Sequence, residues 1–420
     1  MLNPKRKKHS VLYKQNEWYP YYASYSDLFV ADLIEHYNLD SSRLRVLDPW
    51  NGTGTTTFCC AAAGLRSYGF DINPVMNIVS RAKLCNPLVI NVKNIRRSLQ
   101  NLKRISYQFD RDDPLLTWYT QDTVINIRKI ERMLLKYEKI IPKNFTYWKF
   151  HTEISNSNNM NFLYLILFHI LKNYSAPFIG SNPTWIKSKN ISPIEINADN
   201  LIKAFFHLFD FFCNNYTPFC NFEPPVISCS DSNNIPLRRN SIDLVISSPP
   251  YCTRIDYAIY TQLELSLLGF AKTDVRALRE LLIGSPTIHQ NHQDIQLDHL
   301  IYCNSVLDKI EFHSSKASKS YYLKTYKQYF FEMEQSIAEI SRVLRKNKHA
   351  VLVIQESWFK NIRIDLPKIV LELAEKHHMN GHIERYAVKQ NIVNINTKSR
   401  KYTAKKEIYE AVIFLQKKGV

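Results

Sequence analysis

The stretch at residues 241–257 reads SIDLVISSPPYCTRIDY and joins a short apolar run to two consecutive prolines. The run from Ile242 to Ile246 has the composition of a strand that is buried on both faces of a parallel sheet. Pro249 and Pro250 end that strand, because a proline has no N–H to donate to a neighbouring strand. The stretch therefore predicts a central strand that ends at a stiff loop.

The tetrapeptide Ser248-Pro249-Pro250-Tyr251 follows this strand and has two interpretations. The simpler one is a turn that only ends the strand. The other is a site for the exocyclic amino group of a nucleobase, because the Ser248 hydroxyl and the nearby carbonyls can accept hydrogen bonds from an NH2 group. Tyr251 then offers a flat face on which a base taken out of its duplex can stack. A second motif has to decide between the two.

The composition is that of a basic globular protein. Its 420 residues, 45% of them hydrophobic, are enough for one large domain with an insertion or for two domains. The formal net charge of +17 indicates a polyanionic partner, with nucleic acid as the first candidate, although a general bias toward Lys, Asn, Ile and Tyr is an alternative explanation. The N-terminus lacks the apolar segment of a signal peptide, and the longest apolar run, residues 162–171, is too short to cross a bilayer. We therefore expect a cytoplasmic protein without a membrane partner.

The cysteines and histidines form no pattern typical of metal binding. The eight cysteines include no C-x-x-C pair, which argues against a zinc site and against a disulfide framework. Four histidines lie between residues 271 and 319, and their irregular spacing favours a surface loop over a metal site. We therefore expect no metal.

A glycine loop provides the second motif. A strand that begins at Arg45 runs into residues 48–55, DPWNGTGT, and a helix of small residues follows. Glycines at such a turn let the backbone approach a ligand closely, and the helix N-terminus presents free N–H groups. The next strand ends at Asp71, where a carboxylate can accept hydrogen bonds from both ribose hydroxyls of a nucleoside cofactor or can cap the next helix. Asp231 ends a later strand, where it can accept a hydrogen bond from the amino group of the cofactor's adenine.

The middle of the chain loses the alternation of strands and helices. Amphipathic helices are predicted there at residues 124–137, 160–171 and 201–216. Such a block within a doubly wound sheet is typical of a helical insertion. Its polar loop carries Trp185 and Lys187; Trp185 either contacts nucleic acid or packs in the core.

The C-terminal part resumes the sheet. Residues 321–344 predict a long helix, residues 350–354 a core strand, and residues 383–388 with 408–415 an antiparallel pair. The connection within that pair is basic and contains no acid, so it is either solvated or laid against phosphates, and we favour phosphates. Its basic residues include Lys398, Arg400 and Lys401. The predicted fold class is α/β, with a mostly parallel sheet, a C-terminal antiparallel hairpin and a helical insertion.

Together these motifs resemble the DNA amino-methyltransferases that use S-adenosylmethionine. The glycine loop is similar to their cofactor motif, Asp71 to their ribose-binding acid, and the tetrapeptide at 248–251 to their catalytic motif. Residues 254–257 and 263–269 also resemble the continuation that many members carry. The similarity covers residues 18–85 and 226–416. Trp50 stands where Phe is commoner, and the insertion falls before the third strand.

The resemblance implies a Rossmann-like methyltransferase fold in three segments. Residues 1–90 hold the cofactor motif, 91–225 the insertion and candidate target recognition domain, and 226–420 the catalytic motif. It implies that residues 18–33 close over the methionine end of S-adenosylmethionine. The expected cofactor-binding residues are Tyr25, Asp48, Pro49, Trp50, Gly52, Gly54, Thr55, Asp71 and Asp231. The expected catalytic residues are Ser248, Pro249, Pro250 and Tyr251, and the expected DNA contacts are Trp185, Lys187, Arg254, Lys398, Arg400 and Lys401.

The activity that the resemblance implies is methyl transfer to an amino group of a flipped-out DNA base. A serine at the first position of the tetrapeptide is typical of cytosine N4 methylation, whereas Asp or Asn is typical of adenine N6. We therefore favour cytosine N4, with adenine N6 as the alternative. A restriction-modification or antiphage setting, with a cognate endonuclease, is the usual context. Two other classes stay open: an RNA base methyltransferase, and a DNA-binding module without activity.

Overall fold

A seven-stranded sheet forms the centre of the protein. The computed structural model describes Pro4 and residues 13–21, 25–37, 44–140, 157–175, 192–252, 255–287, 300–388 and 408–419. The strands of the sheet are β1 (Arg45–Asp48), β2 (Arg66–Phe70), β3 (Val226–Ser228), β4 (Ile242–Ser247), β5 (Leu344–Gln355), β8 (Met379–Val388) and β9 (Ile408–Lys417). A separate two-stranded hairpin follows β5 and consists of β6 (Ser357–Phe359) and β7 (Ile362–Ile364).

The strand order is β3-β2-β1-β4-β5-β9-β8. The first five strands are parallel, and β9 runs antiparallel to both β5 and β8. The predicted α/β class, with a mostly parallel sheet and a C-terminal antiparallel hairpin, is confirmed. We call the edge at which the parallel strands end the carboxyl edge, and the opposite one the amino edge. The order reverses between β1 and β4, where doubly wound sheets usually bind ligands at the carboxyl edge.

The central strands are apolar because helices cover both faces of the sheet. All six residues of β4 are buried, as expected for a strand inside a parallel sheet. The helix after β1 is built of small residues, TTTFCCAA, and all eight are buried between the sheet and its neighbours. The helices are α1 (Asp27–His36), α2 (Thr55–Ala62), α3 (Pro74–Ala82), α4 (Val92–Gln100), α5 (Gln121–Tyr137), α6 (Asn158–Asn173), α7 (Ala198–Asn214), α8 (Tyr257–Tyr260), α9 (Gln262–Leu267), α10 (Lys272–Leu281), α11 (Ile301–Glu311), α12 (Leu323–Val343) and α13 (Leu366–Lys376).

The helices predicted within residues 91–225 are present as α5, α6 and α7. They do not stand apart from the sheet. Their apolar faces share one hydrophobic core with α3 and α9, in which Leu163 and Phe205 are fully buried together with Val79 and Leu265. The inserted segment therefore packs directly on the helix that follows β2. Its role in target recognition stays a prediction.

None of the helices in the described ranges combines the length and the apolar character that crossing a bilayer requires.

Candidate active site

A cleft opens at the carboxyl edge, next to the point where the strand order reverses. It contains about 870 Å³ of empty space, counting the open solvent at its mouth, which is within the usual range for small-molecule sites. Its walls come from the loops after β1, β2, β3 and β4, from the segment before α1 and from the end of α10. Four motifs that lie far apart in the sequence therefore meet at one site.

Asp48 lies beneath the glycine loop and holds it in place. The carboxylate is 1% exposed, and its Oδ1 accepts hydrogen bonds from the Trp50 N–H at 3.2 Å and from the Ser247 hydroxyl. Its Oδ2 accepts a hydrogen bond from the Tyr25 hydroxyl at 3.2 Å. Burial raises the pKa of Asp48 to about 6, against the opposing effect of these hydrogen bonds. Asp48 does not line the cleft, so its contacts tie the loop to β4 and to the segment before α1.

The two glycines of the loop have different roles. Gly54 has φ +82°, and a Cβ there would lie 2.6 Å from the Cβ of Ser80, so it is needed for the close approach of the loop to α3. Gly54 does not line the cleft. Gly52 does, with φ +48°, and its N–H donates a hydrogen bond to Asp71 Oδ2 at 2.9 Å. The loop is therefore joined directly to the acid at the end of β2.

Asp71 lies in the cleft wall with a fixed orientation. Its two oxygens accept hydrogen bonds from the backbone N–H groups of Gly52 at 2.9 Å and Asn73 at 2.8 Å. Each carboxylate oxygen keeps a further lone pair, so the group can still accept from two hydroxyls. Burial raises the pKa of Asp71 to about 6. The alternative role of Asp71 as the helix cap is wrong, because the side chain of Asn73 caps α3. The role of Asp71 in binding ribose hydroxyls stays a prediction.

Asp231 lies three residues beyond the end of β3, in the same cleft. Its Oδ1 accepts a hydrogen bond from the Asn233 N–H at 2.9 Å. Burial raises the pKa of this carboxyl group. The cleft thus has an acid on each of two adjacent strand ends.

The tetrapeptide at 248–251 forms another wall of the cleft. Hydrogen bonds to residues outside the cleft wall and to Tyr257 hold its polar atoms. The Ser248 hydroxyl donates a hydrogen bond to the Val353 carbonyl of β5 at 2.9 Å. The Pro250 carbonyl accepts a hydrogen bond from the Tyr329 hydroxyl of α12 at 2.9 Å. The Tyr251 N–H donates to the Tyr257 hydroxyl at 3.0 Å. Because its proton is used for Val353, the Ser248 oxygen can act toward a ligand only as an acceptor.

Gly284 packs against the back of the tetrapeptide. It has φ +78°, and a Cβ at this position would lie 2.7 Å from the Tyr251 carbonyl oxygen. The segment after α10, which supplies Leu281, Leu282 and Ile283 to the cleft wall, can therefore approach Tyr251 only because residue 284 is glycine.

Aromatic residues close a third side of the cleft. Tyr21 and Tyr257 both line it, with their ring centroids 6.4 Å apart, and Tyr21 also contacts Tyr260 edge-on at 5.6 Å. The segment that carries Tyr21 is anchored by two hydrogen bonds, one at the surface and one buried. The Tyr260 hydroxyl donates to the Pro20 carbonyl at 2.9 Å, and the Tyr19 hydroxyl donates to Glu264 Oε1 at 2.5 Å.

The structure brings most of the predicted cofactor and catalytic residues together. Those lining the cleft are Tyr25, Pro49, Trp50, Gly52, Thr55, Asp71, Asp231, Ser248, Pro249, Pro250 and Tyr251. The predicted DNA contacts, Trp185, Lys187, Arg254, Lys398, Arg400 and Lys401, all lie outside the described residues. Lining residues that the sequence patterns missed are Tyr21, Asn51, Thr53, Ile72, Asn73, Met76, Ser230, Ser232, Tyr257, Leu281, Leu282 and Ile283. Several of these are neighbours of predicted residues, but Leu281 to Ile283 carry no sequence signal.

The glycine loop also buries two donors. Trp50 Nε1 and Asn51 Nδ2 have no hydrogen-bond partner in the part of the chain that the structure describes. Neither atom is exposed to the open cleft, and Asn51 Nδ2 packs against Gly69 of β2, 2.7 Å from the position of an added Cβ. The acceptors that line the cleft, Asp71 and Asp231, are therefore the groups that fit a ligand with hydroxyl and amino groups.

Comparisons with known proteins give related sequences of one class. The chain is similar to type II methyltransferases. It is 25% identical over 403 residues to the type II methyltransferase M.AvaI of Nostoc sp., an alignment that covers 87% of this chain and 79% of the relative. It is 23% identical over 362 residues to M.MvaI of Kocuria varians, which covers 80% of this chain and 75% of the relative. These similarities support the predicted methyltransferase.

No protein-family model matches the chain. Among solved structures, it aligns with a putative sarcosine dimethylglycine methyltransferase from Galdieria sulphuraria at a TM-score of 0.31 and 8% identity. That alignment covers 94% of this chain and 85% of the other.

Proposed function

We propose that the protein is a site-specific DNA methyltransferase that modifies the exocyclic N4 of cytosine in a flipped-out base, with S-adenosylmethionine as the methyl donor. The type II methyltransferase relatives support the class of enzyme. The hydrogen bond from the Ser248 hydroxyl to the Val353 carbonyl is the observation that supports methyl transfer to an amino group. The formal charge of +17 supports a polyanionic substrate.

The cofactor half of the cleft fits S-adenosylmethionine. Asp71 would accept hydrogen bonds from the two ribose hydroxyls, and Asp231 one from the adenine amino group. When bound, this cofactor supplies a methyl group on a positively charged sulfur.

The tetrapeptide would hold the target amino group. An exocyclic amino nitrogen is a poor nucleophile because its lone pair is delocalised into the ring. Acceptors that bind its two protons favour a tetrahedral nitrogen and so return the lone pair to it. Ser248 Oγ is committed to this role by its bond to Val353. The Pro249 carbonyl is the second acceptor, and it has no hydrogen bond within the described residues.

Tyr251 would stack on the flipped base. Its backbone is fixed on one side by Tyr257 and on the other by the approach of Gly284. A fixed stacking face orients the base without contacting its amino group. The amino nitrogen would take the methyl group directly as the sulfur–methyl bond breaks, and would then release one of its protons. No covalent enzyme intermediate would be needed, so the buried Cys252 is not required as a nucleophile.

The base and its context are tested by nucleoside analysis and methylome sequencing of DNA from an expressing strain. We expect N4-methylcytosine at one recognition sequence, and none in a strain that expresses Ser248→Ala. N6-methyladenine in its place would assign the alternative base. Unmodified DNA with methylated RNA would favour an RNA base methyltransferase, and no modified base in either nucleic acid would contradict the proposal.

The inserted segment, residues 91–225, is our candidate for target recognition, and a restriction-modification or antiphage setting is our proposed context. Trp185→Ala and Lys187→Ala should change the methylated sequence or weaken its selection in the same methylome experiment. An unchanged sequence preference and rate in both variants would count against this role of the loop.

A further inference from the structure

The amino edge of the sheet carries a cluster of cations that the proposed reaction does not use. Three segments meet there: the loop before β4, the start of β5 and the end of β9. They contribute Arg238, Arg239, Lys346, Lys348, Lys417 and Lys418. We call these six residues the amino-edge patch. Within the described ranges, none of the six forms a salt bridge with a carboxylate.

A bulge at the start of β5 presents the middle of the patch. The pairing of β5 with β4 moves from Ile242–Leu344 to Leu244–His349, so residues 345–348, RKNK, project from the ladder. Arg345 anchors the bulge through its bond to Asp243 at 2.6 Å. Asn347 at its tip has φ +60°. Lys346 is exposed and Lys348 half-buried beside this anchor.

The other two segments are drawn toward the bulge. Lys417 Nζ donates to Asn240 Oδ1 at 2.8 Å and to the Leu344 carbonyl at 2.7 Å, which joins the end of β9 to the turn before β4. Arg238 and Arg239 lie in that turn and are exposed. Burial, with the charges of Arg239 and Lys346 nearby, lowers the pKa of Lys417. The cations are thus close enough to repel one another.

Like charges held together in this way are unfavourable for the fold unless an anion binds them. The nearby acids already form salt bridges with other residues, Asp243 with Arg345 and Glu339 with Arg342, each at 2.6 Å. Of the patch, Arg239 is close enough to help lower the pKa of Glu339. No exposed large hydrophobic residue of the described part lies in the patch, which argues against insertion into a lipid surface. Duplex DNA, with one negative charge per about 1.7 Å of its axis, matches a dense group of cations that form no salt bridge within the described ranges.

We propose that the amino-edge patch is a second DNA-binding surface, which holds the sugar-phosphate backbone of a duplex segment away from the cleft. The choice of DNA rests on the proposed function. The patch and Ser248 lie at opposite ends of β4, about 20 Å apart at the usual rise per residue. A duplex presented to the cleft therefore does not reach the patch unless it bends or a second segment binds. Phosphate contacts there would be independent of sequence and would retain the enzyme on long DNA.

The test compares two triple variants that remove equal charge. Arg238→Gln, Arg239→Gln and Lys346→Gln change exposed members of the patch. The control, Arg66→Gln, Arg276→Gln and Lys319→Gln, changes exposed cations that already form salt bridges with Glu223, Glu280 and Glu311. Dissociation constants for a long duplex are measured against salt concentration for both variants and for the wild type. Methylation rates are measured on a short duplex and on a long one, each with a single target.

For the patch variant, we expect the salt slope on the long duplex to fall by about 2 to 3, since each phosphate contact contributes about 0.9. Methylation of the short duplex should keep its rate, and the control should match the wild type in both assays. A patch variant with the wild-type salt slope would overturn the inference, even if the protein methylates DNA. If the wild-type protein methylates no DNA, but the patch variant binds DNA more weakly than the wild type, the result would support the patch and contradict the proposed function.

Discussion

The two edges of the central sheet carry opposite charge, with the acids at the ends of β1, β2 and β3 and the cations before β4, at the start of β5 and at the end of β9. At the carboxyl edge, Asp48, Asp71 and Asp231 are brought together, and burial raises the pKa of each carboxyl group. At the amino edge, cations are brought together and the pKa of Lys417 is lowered. Each cluster is unfavourable alone and favourable with a ligand of suitable charge. One sheet would thus offer a hydroxyl- and amino-binding site at one end and an anion-binding site at the other.

The largest expected effect on methylation comes from comparing substitutions at the two ends of β4. Ser248→Ala removes an acceptor for the target amino group, and we expect single-turnover methylation to fall by about 100-fold or more, as for other groups that stabilise a transition state. Ser241→Ala is the matched control, because the Ser241 hydroxyl also donates to a backbone carbonyl, that of Arg238, at 2.6 Å. Binding of S-adenosylmethionine should be unchanged in both. Equal rates for the two variants would contradict the role of Ser248.

A matched pair of acids gives the next effect. Asp71→Asn weakens the acceptor for the ribose hydroxyls, and a hydrogen bond to a charged group contributes about 1.5 to 3 kcal/mol. We therefore expect S-adenosylmethionine to bind about 10- to 100-fold more weakly, as measured by calorimetry. Asp243→Asn changes a buried acid at the amino edge, which is paired with Arg345, and should destabilise the fold without changing cofactor affinity. Loss of affinity in Asp243→Asn alone would reverse the assignment of the two edges.

Much of the carboxyl edge could be predicted from the sequence, because apolar runs end at recognisable motifs there. The ends of β1, β2 and β4 follow from DPWNGTGT, Asp71 and the two prolines. The burial of Asp48 beneath its loop could not, since the patterns do not show that Ser247 and Tyr25 close over it. The amino-edge patch was equally hidden, because its three segments are far apart in the chain and meet only through strand pairing.

A pH dependence of smaller size follows from Asp71. Its pKa of about 6 lies above that of an unfolded aspartate, so between pH 4 and 6 the folded protein binds more protons, and this group makes stability fall as pH rises through that window. Cofactor binding has the opposite sign, because ribose hydroxyls require the ionised carboxylate. Affinity for S-adenosylmethionine should fall by about tenfold per pH unit below 6 and stay level above it.

Calorimetry between pH 5 and 8 measures this dependence. Asp48 also has a pKa of about 6, so Asp71→Asn separates the two acids. A level affinity in that variant would assign the titration to Asp71, whereas a wild-type affinity that is level throughout would contradict an ionised acceptor in the cleft.

The smallest expected effect concerns a residue that only positions the catalytic loop. Tyr329→Phe leaves the Pro250 carbonyl without its donor, at a cost of about 1 kcal/mol, so the methylation rate should fall by about fivefold with cofactor affinity unchanged. Tyr321→Phe is the control, because the Tyr321 hydroxyl also donates to a proline carbonyl, that of Pro286, at 2.9 Å. Pro286 lies beside the cleft wall but outside the tetrapeptide, so this variant should keep the wild-type rate. If the two variants lose the same rate, the hydrogen bond to Pro250 has no special role, and the tetrapeptide is held by its prolines, by the hydrogen bonds of Ser248 and Tyr251 and by the contact with Gly284.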